Sequence, residues 1–123
     1  MNAEAFVQEM FKVDSNLRYV GVVDSEYRVL VSRQREGIPS LTSDETTRNF
    51  VSIVPQIIVD SVEKLSPFLG QVGGITAHYE KVLMMFYRVD NLIVVLSFQT
   101  QVDTPFYNRI TESFSKLSAR YLT

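Results

Sequence analysis

The chain contains no cysteine, which excludes disulfides and thiolate zinc sites and fits a reducing cytoplasm. Histidine occurs once, at His78. With no Ser/Asp constellation beside it, this histidine completes no recognisable triad; paired with Glu80 it offers two metal ligands, too few for a site. Excess charge of one sign is also missing: 12 Lys and Arg against 14 Asp and Glu leave a net charge of -2. No general basic field draws the chain to nucleic acid or to an anionic membrane. Long apolar runs are absent too. The longest nearly uncharged stretch, Leu92 to Val102, is far shorter than the roughly 20 residues of a membrane-spanning helix. Glu4, Glu9 and Lys12 interrupt Met1 to Val13 and deny it the apolar centre of a signal peptide. The glycines from Gly70 to Gly74 make no phosphate loop, because they lack its lysine and precede a strand. These absences predict a soluble, cytoplasmic protein with no nucleic-acid partner, membrane span, cofactor or metal, and with no catalytic residue.

What is present is enough apolar material for a core. At 123 residues, 46% hydrophobic and 21% charged, the sequence predicts one globular domain over residues 1–123. Ala3 to Val13 places Phe6, Val7, Met10 and Phe11 on one helical face. Leu17 to Asp24 is an almost unbroken β-favouring run, and Asp24-Ser25-Glu26 turns it into a second strand, Tyr27 to Arg33. There Tyr27, Val29 and Val31 alternate with Arg28, Leu30 and Ser32. Arg33 to Ser43 reads as a loop. Thr42 with Glu45 matches a capping box, opening a helix from about Asp44 to Leu65 that Pro67 and Gly70 end. Pro55 inside it should kink or split it. Three strands follow, near Val72 to Glu80, Val82 to Val89 and Leu92 to Gln99. Asp103-Thr104-Pro105 then caps a closing helix with Phe106, Ile110, Phe114, Leu117 and Tyr121 on its buried side.

The first, fourth and fifth strands are apolar at successive positions and belong in the middle of a sheet; the second and third are edges. Hairpin connections then give the order 2-1-5-4-3. The predicted fold is an α/β (α+β) domain with elements α-β-β-α-β-β-β-α around a central five-stranded antiparallel sheet, two helices on one face and one long helix on the other. Such a sheet is roughly 19 Å wide between its outer strands, and one helix, about 10 to 12 Å across, cannot cover it. The long helix carries Phe50, Ile53, Val54, Ile57, Ile58 and Leu65 as a stripe for the sheet, and beside it a second apolar line, Val51, Pro55, Val59 and Val62. That line either widens the core face or meets a partner helix.

The run Tyr19-Val20-Gly21-Val22-Val23-Asp24, the close of the long helix with Gly70 and Gly73-Gly74, and Asn91-Leu92-Ile93-Val94-Val95-Leu96 together resemble the Roadblock/dynein light chain family, with its profilin-like architecture. The layout is also similar to small uncharacterised archaeal proteins. Pro55 and the charged loop Arg33-Gln34-Arg35-Glu36-Gly37 depart from the family pattern. The resemblance implies a non-enzymatic homodimeric scaffold for protein-protein interaction whose partners include small GTPases or larger complexes. It implies pairing through the third strand, at Ile75, Ala77 and Tyr79, with Val51, Pro55, Val59 and Val62 packing helix to helix. Val59→Glu with Ala77→Pro is the disrupting pair this mapping suggests. The rival reading is a small-ligand sensor similar to PAS and profilin-like domains, with a site lined by Phe50, Met84, Met85 and Tyr87. Arg33, Arg35 and Glu36 form a further candidate partner loop for an acidic group.

Overall fold

The computed structural model describes residues 1–99 and 103–123; residues 100–102, the tail of the uncharged stretch, lie outside the described residues. Its elements are α1 (Ala3–Val13), β1 (Leu17–Asp24), β2 (Val29–Gln34), α2 (Asp44–Glu63), α3 (Ser66–Leu69), β3 (Ile75–His78), β4 (Val82–Val89), β5 (Leu92–Gln99) and α4 (Thr104–Tyr121). The strands form one sheet in the order β2-β1-β5-β4-β3, antiparallel throughout, as the burial argument requires. β1 and β5 are buried along nearly their whole length because both faces of the sheet are covered there.

One face is closed by α1 and α4. Phe6, Val7 and Met10 of α1 meet Phe106, Ile110 and Phe114 of α4 over Val20, Val22, Val94 and Leu96. Aromatic rings set the spacing: Tyr87 stacks on Phe114 at 4.2 Å, and Phe98 meets Phe106 edge-on at 4.8 Å. The other face carries Tyr19, Val23, Phe86, Ile93 and Val95, and α2 lies on it through Val51 and Val59.

Several local expectations shift. Ser43, rather than Thr42, caps α2, its hydroxyl accepting from the Thr46 N–H at 3.1 Å. The helix ends at Glu63, two residues early, and Pro67 opens the short α3 that closes at Gly70 with φ 93. α2 runs as one element through Pro55. Asp103 precedes α4, but among the described residues its side chain makes no capping bond. β3 is shorter than expected, Ile75–His78, beginning after the Gly73-Gly74 pair.

β2 begins two residues late, because Tyr27 sits in the turn with φ 66. Val22 pairs with Val31 and Val23 with Val29, so Leu30 is bulged. Val31 therefore joins the α1/α4 side and Val29 the α2 side, where simple alternation had put them together. The turn itself is organised by Asp24. Its Oδ1 accepts from the N–H groups of Glu26 and Arg28 at 2.9 and 3.0 Å, and its Oδ2 from the Arg28 guanidinium at 2.8 Å. The Arg28 backbone N–H foremost, then the Arg28 guanidinium and the Glu26 N–H, hold this carboxyl below its ordinary value against the opposing effect of burial. A depressed folded pKa adds stability that is complete at neutral pH and is lost as pH falls through it. In paired melts, Asp24→Asn should destabilise the protein most above about pH 5, the gap to wild type closing toward about pH 2. A gap independent of pH would refute this role.

Candidate functional site

The rotation of α2 about its own axis decides which residues are available to a partner. Val51, Pro55, Gln56 and Val59 are buried against the sheet. This corrects the expectation that Val51, Pro55 and Val59 form the open line. The sheet beneath carries the large side chains Tyr19, Phe86 and Ile93, so the helix meets it with its smaller apolar residues. Polar contacts lock the choice: the Gln56 amide donates to the Asp24 carbonyl at 2.8 Å, and Arg88 on β4 reaches Asp60 at 2.7 Å and Glu63 at 2.9 Å. Of the four residues in that line, Val62 alone is exposed.

Of the stripe assigned to the sheet, Phe50 and Ile58 do pack on the sheet-side cluster, and the rest of it turns outward. Ile53 is 51% exposed and Ile57 58%, one helical turn apart, with Leu65 also in solvent and Val54 and Ile58 half-buried alongside. Ile58 packs on the same cluster as Ile75 and Ala77 of β3. Among the described residues β3 pairs with β4 alone, so its other edge offers backbone N–H and C=O groups next to this apolar helix face. Tyr79, just past the strand, is exposed.

Arg33 and Arg35 do not stand free in a loop. Arg33 lies at the end of β2 and donates to both carboxylate oxygens of Glu4, at 2.8 and 3.1 Å. Arg35 donates to the carbonyls of Leu17 at 2.6 Å, Phe11 at 2.8 Å and Asp14 at 2.9 Å, with its guanidinium over the Phe11 ring. It neutralises the carbonyl end of α1 and ties that helix to β1. Glu36 is exposed beside them.

A single helix leaves part of the sheet uncovered. At the start of α2 an open cavity of about 490 Å3 lies between the sheet and the 40–42 loop. Its floor is Tyr19, Met84 and Ser97, its helix side Thr46, Thr47, Phe50 and Val51, and its far wall Tyr79 to Val82. Phe50 and Met84 thus sit where a sensor site expects them, whereas Met85 and Tyr87 are buried on the opposite face. Tyr19 lies flat over Gly21, its hydroxyl 2.7 Å from Ser32 Oγ, and burial raises its phenol above the ordinary value. A methyl on Gly21 would sit 2.8 Å from that hydroxyl and 3.0 Å from the ring. Gly21→Ala should therefore cost about 1–3 kcal/mol in chemical denaturation, and an unchanged midpoint would mean the ring is free to move away.

Among the described residues no three His, Asp or Glu side chains gather as metal ligands, and no helix is long and apolar enough to cross a membrane. His78 faces α4, its Nε2 3.3 Å from the Tyr107 hydroxyl.

No protein-family model matches the chain, and no curated protein matches it in sequence. Solved structures do. A Roadblock/LC7 domain from Streptomyces avermitilis superimposes with a TM-score of 0.73 at 6% identity, covering 99% of this chain and 98% of that one. The fold is that of the Roadblock/LC7 domain. An MglB in a tetrameric arrangement is similar across 95% of this chain and 90% of its own, at 15% identity and a TM-score of 0.64. The LokiProfilin2/rabbit actin complex gives 0.57 at 9% identity over 94% of each chain, so the profilin-like architecture is shared as well. In this Roadblock/LC7 fold the outward face of α2, the edge β3 and the cavity occupy adjoining parts of one surface.

Proposed function

We propose that this chain is a non-enzymatic homodimeric interaction module that pairs through the outer face of α2 and the edge of β3. The observation that carries the reading is the exposed Ile53 and Ile57 pair beside an open strand edge. Two isoleucines at helical spacing in water favour burial against a matching surface, and a second copy offers the same surface by symmetry. Edge-to-edge pairing of β3, from Ile75 through Ala77 to Tyr79, extends the sheet across the two-fold and satisfies its free backbone groups. That an MglB of the same fold adopts a tetrameric arrangement supports self-association as a use of this architecture. The dimer then acts as a scaffold in the cytoplasm, and the resemblance to the Roadblock family makes a small GTPase or a larger protein complex the partner class to test. Light scattering coupled to size exclusion across a dilution series checks the pairing. A dimer at low micromolar concentration is expected; a monomer throughout would refute it.

The cavity favours a second reading, a small-ligand sensor, since about 490 Å3 falls in the usual range for such sites. A monomer whose melting temperature rises with an added small molecule would support that reading instead.

A further inference from the structure

The cavity at the start of α2 and the apolar residues that protrude beyond its end are complementary. Resting on the pairing proposed above, we infer that each protomer of the dimer inserts Phe68 and Leu69 into the cavity of the other. Phe68 is 82% and Leu69 78% exposed, the two most solvent-exposed large apolar side chains among the described residues. They are held out by a hydrogen-bonded turn: the N–H groups of Phe68 and Leu69 donate to the Leu65 carbonyl at 3.0 and 2.9 Å, and that of Gly70 to Ser66 at 2.9 Å. Adjacent apolar side chains presented on a fixed turn have the character of anchors, because little conformational freedom remains to be lost on docking.

Symmetry supplies the address. Two α2 helices packed antiparallel about an axis midway between Ile53 and Ile57 place each Ile53 beside the partner's Ile57. The same axis carries the partner's Phe68 to the level of Thr42 and its Leu69 to that of Leu41, and both Leu41 and Thr42 line the cavity. Antiparallel pairing of β3 leads to the same place. It runs the partner's segment from Gly70 to Gly74, which enters β3, past Tyr79 to Val82, the cavity's far wall. Charge agrees: the partner's Lys64 falls near Asp44 and Glu45 in the first turn of α2, and among the described residues none of the three has an ion pair within its own chain. Each cavity takes one anchor and each chain gives one, so this contact closes at two copies.

The lack of native cysteine makes the test direct. Leu41 and Leu69 flank opposite ends of the 20-residue α2, about 30 Å long, so a disulfide in the double variant L41C/L69C, which keeps Phe68, forms only between chains. Oxidation should convert most of this variant to a covalent dimer on a non-reducing gel. Separately, Phe68→Ala should raise the dimer dissociation constant about thirtyfold or more and open the cavity to the apolar dye anilinonaphthalene sulfonate, which the wild-type dimer excludes. A wild-type dimer by light scattering with no covalent dimer from L41C/L69C, or with equal dye binding before and after Phe68→Ala, overturns the insertion and leaves the pairing standing. A wild-type monomer overturns both.

Discussion

Ile57→Glu is expected to turn the proposed dimer into a monomer while leaving the fold unchanged. Ile57 is 58% exposed within one chain, so a carboxylate there is hydrated in the monomer and alters folding stability by no more than about 0.5 kcal/mol. In the proposed dimer it lies near the two-fold, and each substitution counts twice. Each carboxylate is desolvated against the partner's Ile53 without a cationic partner, a penalty of several kcal/mol that raises the dissociation constant at least about a hundredfold. Light scattering reads the mass, and a thermal melt followed by circular dichroism reads the fold. Persistence of the dimer at the same dilution would remove α2 from the interface. Val59→Glu, suggested by the interface that the family resemblance implies, is a different experiment: Val59 is buried against the sheet, so a carboxylate there unfolds the chain rather than dissociating it.

Arg35→Ala is expected to produce the largest loss of folding stability among the surface-accessible charged residues. Three carbonyls, of Leu17, Phe11 and Asp14, lose a charged donor in one step, and Phe11 loses the guanidinium above its ring. Hydrogen bonds to a charged group contribute about 1.5–3 kcal/mol each, and water recovers part of this at a half-buried site. A net cost of about 2–4 kcal/mol in urea denaturation follows. Arg35→Lys should recover less than half, because an ammonium lacks the fork that reaches the carbonyl end of α1 and β1 together. Arg33→Ala is the internal control. Its pair with Glu4 is exposed on both sides and should be worth under about 1 kcal/mol. Equal effects at Arg33 and Arg35 would show that the carbonyl contacts add nothing, and would return both arginines to candidate partner contacts.

The architecture was legible because burial on both faces of a strand leaves a mark in one dimension. Val20, Val22 and Val23, or the run from Leu92 to Leu96, are apolar at successive positions only where helices cover both sides, and from that mark the order β2-β1-β5-β4-β3 followed. The elements were legible for the same kind of reason, as 3.6-residue and two-residue periods. Boundaries shifted wherever a local competition decided them, as when Ser43 took the cap from Thr42 or Leu30 was bulged out of β2.

The candidate site was less legible. Periodicity shows that α2 has an apolar arc wide enough for two contacts, yet Val51, Pro55 and Val59 are as apolar as Ile53 and Ile57. Which set meets the sheet depends on side-chain size opposite Tyr19 and Phe86, and on the Gln56 and Arg88 bonds that stop the helix rotating. Arg35 carries no sequence sign that it ties α1 to β1, because its acceptors are backbone carbonyls and any residue type presents those. The cavity was foreshadowed only in the widths, one helix over five strands. The sequence by itself determined the strand order, the faces of α1 and α4 and the presence of surplus apolar surface on α2, since each follows from a repeat along the chain. Tertiary structure alone decided the rotation of α2, the use of Arg35 and the placing of Phe68 and the cavity beyond opposite ends of one helix. Those depend on contacts between residues far apart in the chain, which no local pattern encodes.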